Sequence, residues 1–225
     1  PKKYISALVS EDCWQATPGK VVDLVRNLGI AAGGTVMEDC RVLEACREGK
    51  YTSVLVQTHD KKYVEYRTEH FVNALGSGAG KLCDSMGIDA GLYPVRHQAF
   101  ITRRLPMLGK HGTNLDMLID RQDYKGFSAV YGQQIAYTGQ IIGCASPKLD
   151  AMRIDKNLKV NTKAFLEIVS EMFSEWIPDL AGVGIQAVWA GYYTEPRYIV
   201  DPELGLFVGM CGHGFMLSQY IARMY

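Results

Sequence analysis

Apolar positions along the chain recur at two spacings, and the switches between them mark the predicted elements. YISALVS at Tyr4 to Ser10 reads as a strand. Pro18 suits the first turn of a helix, and Val21, Val22, Val25 and Leu28 then share one helical face, with Gly29 as the predicted stop. A strand is expected around Thr35 to Met37. Three antiparallel strands are expected next, at Arg41 to Ala45, Ser53 to Thr58 and Tyr63 to Arg67, with polar turns at Glu48-Gly49 and Asp60-Lys61. HFVNALGSGAGKL from His70 predicts a buried strand over Phe71 to Ala74, a small-residue turn over Gly76 to Gly80 and a helix from Lys81.

Farther along, Leu92 to Thr102 reads as one strand with His97 inside it. Leu115 to Asp120, Ser128 to Gly132, Gln134 to Tyr137 and Gln140 to Cys144 read as four short strands, with turns at Asp123, Gly126 and Gly139. Phe165, Ile168, Val169, Met172 and Phe173 form a helical stripe, capped at Asn161-Thr162 and ended by Pro178. Ile185 to Val200 is a further extended segment. The last segment has Leu206 to Val208 as a buried strand and Gly209, Gly212 and Gly214 as a break. A helix pattern then runs through Tyr220, Ile221 and Met224. Such a strand–turn–helix aims backbone N–H groups at an anion or an electron-rich ring edge, with His213 between two glycines. An ordinary turn carrying a turn histidine fits the same spacing equally well.

Composition narrows the function classes. The 225 residues carry 24 Lys+Arg against 24 Asp+Glu, which argues against phosphate-driven nucleic-acid binding. At 48% hydrophobic the chain can bury a substantial core, yet no apolar run reaches the roughly 18 residues of a membrane span. Its start lacks both an initiator Met and the apolar core of a signal peptide, so a processed or partial chain is expected. The six cysteines form no CxxC pair and no Cys/His cluster with zinc spacing, which fits free thiols in a reducing, cytoplasmic setting.

Gly209 to Met216, Gly-x-x-Gly-His-Gly-Phe-Met, resembles the C-terminal flavin loop of the D-amino-acid-oxidase superfamily, the branch of sarcosine oxidase, glycine oxidase and the proline dehydrogenase β subunit. Further matching stretches are the VNALGSGAG element, the PVRHQ strand at Pro94 to Gln98, and WAGYYT followed by IVD. The resemblance implies non-covalent FAD, with Gly212, His213, Gly214, Phe215 and Met216 flanking the flavin ring. It places Gly76 beside the dinucleotide and Val42 on the adenosine side; a core valine is the other reading of Val42. It also puts Tyr131 and Tyr193 against the substrate, as catalytic residues. His97 either lines the flavin or is a structural histidine.

Departures from the family pattern shape the expected chemistry. Gly78 stands where the superfamily has Trp. Ile141 and Ala145 stand where sarcosine oxidases keep a lysine and a histidine, and loss of the lysine favours a dehydrogenase over an oxidase. Gly191 replaces the cysteine that anchors flavin covalently. Tyr193 and Met216 replace the known carboxylate anchors, leaving Arg197 as a stand-in or a plain turn residue.

The expected fold is α+β (α/β): a mixed, largely antiparallel substrate-domain sheet with helices, plus the C-terminal part of an FAD-binding Rossmann-like domain. The expected divisions are 1–35 (substrate-domain segment), 36–91 (part of the FAD-binding domain), 92–185 (substrate domain) and 186–225 (return to the FAD-binding domain). No GxGxxG motif occurs in a βαβ setting. A missing N-terminal FAD-binding portion or partner subunit is therefore expected, with weak or no FAD binding and no activity for the chain by itself. The implied function is oxidation of a C–N bond in an amino acid or secondary amine, a small-molecule substrate. The alternatives are a 2-hydroxy-acid or glycerol-phosphate dehydrogenase, and a non-catalytic subunit of such a complex.

Overall fold

The computed structural model describes residues 7–108, 115–121, 127–147, 162–195 and 198–225. The expected turns at Asp123 and Gly126, the cap residue Asn161 and Arg197 lie outside the described residues, as do Tyr4 to Ser6. In chain order the first elements are α1 (Pro18–Ala31), β1 (Arg41–Glu48), β2 (Tyr51–Gln57), β3 (Tyr63–Thr68) and α2 (Ala79–Ser85). Then come β4 (Tyr93–Thr102), β5 (Leu118–Asp120), β6 (Phe127–Gln134), β7 (Ile141–Pro147), α3 (Thr162–Trp176) and β8 (Ile185–Glu195). The last are β9 (Ile199–Asp201), β10 (Leu206–Val208) and α4 (Gly214–Ile221). The mixture of helices and antiparallel sheets is the α+β class expected.

Two compact units result, one running from Tyr93 to Glu195 and the other from the remaining described residues. In the second unit β1, β2 and β3 form an antiparallel meander. Its apolar face, with Ala45, Val54 and Val56, packs on Leu82 of α2. β9 and β10 pair antiparallel, and Leu206 and Val208 pack against Ala79 and Cys83 of α2.

Asn73 ties these pieces together. It is fully buried, and its backbone N–H donates to the Gly205 carbonyl at 2.7 Å while its carbonyl accepts from Phe207 N–H at 3.1 Å. Its side-chain amide donates to the Ala79 carbonyl at 3.2 Å and accepts from Leu75 N–H at 3.2 Å. Asn73→Leu leaves the Leu75 N–H and the Ala79 carbonyl without this partner. The expected loss is about 1–3 kcal/mol in a denaturant melt of the chain; an unchanged midpoint would show that the amide is dispensable.

In the other unit the strands run in the order β5-β6-β7-β4-β8, every pair antiparallel. One face carries the core. Phe100, Val130, Ile141 and Ala145 meet Phe165, Val169, Met172 and Phe173 of α3. Gly132 and Gly143 leave room on that face: a Cβ at either would strike the ring of Phe173 or Phe100. The helix exists because its apolar stripe finds this sheet, not from propensity alone.

Several local expectations are corrected. Residues 7–10 form no strand; Leu8 and Val9 are exposed and pair with nothing described, and an unpaired strand has no ladder to hold it. Thr35 to Met37 is likewise irregular. Phe71 to Ala74 is reduced to a single parallel bridge between Asn73 and Leu206. The two strands expected over Ser128 to Tyr137 are one, β6, which stops where Tyr137 and Gly139 take positive φ in a turn. α1 runs through Gly29, because one glycine weakens a helix without ending it.

Candidate functional site

The sheet of the 93–195 unit has a second face, and the pleat decides what it carries. Side chains alternate along a strand, and cross-strand partners share a face. On β8 this gives Trp189, Gly191 and Tyr193; their β4 partners are Ala99, His97 and Val95. On β6 and β7 it gives Tyr131 opposite Cys144 and Gln133 opposite Ile142. Together these residues, Val95 excepted, line a cavity of about 290 Å³. A Cβ at Gly191 would meet nothing within 4 Å, so the missing side chain there is open space in the cavity.

Three side chains lock together inside it. His97 and Tyr193 stack with ring centroids 3.8 Å apart and planes 24° from parallel. The hydroxyls of Tyr193 and Tyr131 share a hydrogen bond at 3.3 Å. The sequence names all three separately, and the β4–β8 and β6–β7 registers bring them together. Trp189, Gln133 and Cys144 also line the cavity; the period-2 alternation of β8 is the sequence signal that puts Trp189 on the face of Tyr193.

Burial sets the protonation of the cluster. It pushes both tyrosine hydroxyls upward, so both remain neutral O–H groups able to donate. It also pushes the His97 imidazole down from 6.5 to about 4. The Glu195 carboxylate lies 3.8 Å from His97 Nε2, which is too far for a hydrogen bond. It is also a third exposed, so solvent screens it and desolvation prevails.

A pH dependence follows. Between about pH 6.5 and 4 the unfolded chain takes up a proton at this histidine that the folded chain refuses. The associated stability is therefore present above pH 6.5 and lost as pH falls through that window. The expected loss is on the order of 2–3 kcal/mol, read as a falling denaturant midpoint. His97→Phe, which keeps a flat ring, is expected to flatten that slope; a slope unchanged by His97→Phe would assign it elsewhere.

The second candidate feature lies in the other unit. After β10 the chain turns through Gly209, Cys211 and Gly212, all with positive φ. Cys211, at φ 46°, is a non-glycine held in the left-handed region, a strain that accumulates where a turn shape is needed. His213 N–H donates to the Met210 carbonyl at 2.7 Å and closes the turn. α4 begins at Gly214 with no acidic residue in its first turn. By helix geometry the N–H groups of Gly214, Phe215 and Met216 have no intrahelical acceptor. Gly212, His213, Phe215 and Met216 are exposed, so a flat, electron-rich edge has backbone and ring surface to lie against. His213 Nδ1 lies 2.6 Å from the Tyr198 hydroxyl. The turn therefore suits a flavin edge in shape and polarity.

Val42 is partly buried against the Ala45–Val54–Val56 cluster, and Gly76 is an exposed residue at φ +54° that opens a 3-10 turn before α2. Ile141 and Ala145 both point into the α3-facing core, away from the cavity.

A sequence model of one protein family, described as "DAO: FAD dependent oxidoreductase", matches residues 1–225. Similar solved structures include the L-proline dehydrogenase from P. horikoshii, 25% identical, covering 92% of this chain and 54% of that one with a TM-score of 0.67. The glycine oxidase from Geobacillus kaustophilus is 18% identical, covering 86% and 49% with a TM-score of 0.62. The glycerol-3-phosphate dehydrogenase from Bacillus halodurans, complexed with FAD, is 13% identical and covers 87% and 39% with a TM-score of 0.62. The chain thus spans about half the length of the first two. None of the curated proteins is a significant match. No described helix is long and apolar enough to cross a membrane.

Proposed function

Because this chain belongs to the DAO family of FAD-dependent oxidoreductases, we propose that it supplies the substrate-binding face and one flavin-binding turn of an enzyme that oxidises a C–N bond of an amino acid or secondary amine. The observation that carries this reading is the cavity with its half-buried, neutral Tyr131–Tyr193 hydroxyl pair braced by the His97 ring. Two fixed O–H groups orient a polar substrate without adding charge, and His97 keeps the Tyr193 ring from swinging away. FAD, when bound, supplies the hydride acceptor.

Gly212, His213, Gly214, Phe215 and Met216 would hold the flavin edge. The positive end of α4 favours the negative charge that a flavin gains on reduction. Gly191 offers no nucleophile, which supports non-covalent binding. Val42 and Gly76 are assigned to the dinucleotide by resemblance. A dehydrogenase rather than an oxidase is proposed from the resemblance to the proline dehydrogenase β subunit; Ile141 and Ala145 face the α3 core and not the cavity, so their side chains do not bear on that choice. The pyrophosphate-binding GxGxxG element belongs to a polypeptide portion this chain does not span, in the same or a partner chain. The setting proposed is cytoplasmic.

The second reading is C–O oxidation of a 2-hydroxy acid or glycerol phosphate, favoured by the loss of both family carboxylate anchors at Tyr193 and Met216. Dye reduction by the FAD-loaded whole protein separates the two. Turnover of secondary amines or amino acids supports the first; turnover of hydroxy acids or glycerol phosphate alone overturns it. A flavin titration of the 225-residue chain alone is expected to show weak or no binding, and stoichiometric FAD retained through purification would refute that.

A further inference from the structure

We infer that Tyr198 is a positioning residue that sets the tautomer and orientation of His213 in the Gly-His-Gly turn. It rests on the reading that this turn meets a flavin edge. The Tyr198 hydroxyl lies 2.6 Å from His213 Nδ1, and the two rings sit 6.0 Å apart at 56°. That separation is short for an N–H donor, whose bonds centre near 2.9–3.0 Å, and suits an O–H donor. The phenol is also the more acidic partner and the imidazole nitrogen the better acceptor. Tyr198 therefore donates to Nδ1, and the remaining ring proton is placed on Nε2.

The backbone supports the same assignment. His213 N–H is already used by the Met210 carbonyl, and its carbonyl accepts from Leu217 N–H at 3.1 Å. The main chain at His213 is thus fixed, and what stays adjustable is the ring. Tyr198 removes that freedom from outside the turn, immediately before β9, whose pairing with β10 holds the strand that leads into the turn. The result is an imidazole with a defined donor, Nε2–H, on an exposed turn where the first α4 N–H groups also point. A second donor beside them stabilises charge developing on an electron-rich ring edge. Its value lies in being oriented before that charge appears.

The test has two arms. In the first, the nitrogen-15-labelled 225-residue chain is examined by imidazole NMR at pH 8, with His213 assigned through His213→Asn. The expected result is a single Nε2–H tautomer. Tyr198→Phe shifts it about fivefold toward the mixed population of an unrestrained ring, the size expected for one hydrogen bond. A predominant Nδ1–H form, or a tautomer ratio untouched by Tyr198→Phe, overturns the inference.

The second arm measures the two-electron flavin potential of the FAD-loaded whole protein. Loss of the oriented donor in Tyr198→Phe is expected to weaken the preference for reduced flavin roughly tenfold, about 30 mV more negative. If His213→Asn moves the potential and Tyr198→Phe does not, the positioning role fails. If neither moves it, the turn does not meet the flavin, and the first arm alone judges the coupling of the two rings.

Discussion

Gly205→Ala is expected to lower the stability of the chain by about 3 kcal/mol or more, a large fraction of the 5–15 kcal/mol typical of a folded protein. Two costs combine. Gly205 sits at φ +65°, where an L side chain costs roughly 1–2 kcal/mol. A Cβ there would also overlap the Phe71 carbonyl, and that backbone cannot move freely. Two residues on, Asn73 N–H is bonded to Gly205's own carbonyl, and Asn73 is buried among α2 and β10. Relief of the clash therefore breaks the junction that holds β10 in place. Gly49→Ala is the control: its φ is +63°, yet a Cβ there meets nothing within 4 Å. It is expected to cost about 1–2 kcal/mol, from the backbone term alone. Thermal melts followed by circular dichroism compare the two, with roughly 2–4 °C lost per kcal/mol. Equal losses would show that the Phe71 contact relaxes at no cost.

Removing the Tyr193 ring is expected to lower kcat/KM of the FAD-loaded whole protein about 100-fold. Tyr193→Ala deletes the stack on His97, the hydroxyl bonded to Tyr131 and the wall of the cavity together. Tyr193→Phe keeps the stack and removes only the hydroxyl; about tenfold is expected, the worth of one oriented hydrogen bond at roughly 1.4 kcal/mol. Tyr131→Phe is expected to lose a similar factor. Because the two hydroxyls form one pair, the double Phe variant is expected to fall well short of the product of the single losses. Multiplicative losses would mean that the two tyrosines act on separate parts of the substrate. Normal turnover in Tyr193→Ala would remove this face of the sheet from the reaction.

The elements with strong periodicity were legible before any tertiary contact was known. α1, α3, the β1–β3 meander, β4 and β10 all stand within a few residues of their expected places, because a stripe at helical spacing or a bounded run of β-branched residues favours one local geometry. Failures came where a local pattern needed a partner. Leu8 and Val9 have strand character but pair with no strand among the described residues. The segment around Asn73 is fixed by side-chain bonds to α2 and by a single bridge to Leu206, which no window of neighbouring residues reveals. Of the site, Tyr131, Tyr193 and the Gly-His-Gly turn were named from sequence resemblance, while Tyr198 carried no signal at all.

What the sequence by itself determined is which residues are chemically able to form the site, and where the strongly periodic helices and strands lie. The glycines at 205, 209 and 212 bend the chain where only a glycine bends at little cost, and the pleat assigns Trp189, Gly191 and Tyr193 to one face. The tertiary structure alone decided that His97, Tyr193 and Tyr131 touch, that Ile141 and Ala145 are core, and that Tyr198 holds His213. Those contacts join strands whose register is set by long-range pairing and by how α3 fills the opposite face. The free energy of pairing two strands depends on both, and neither strand carries the answer alone.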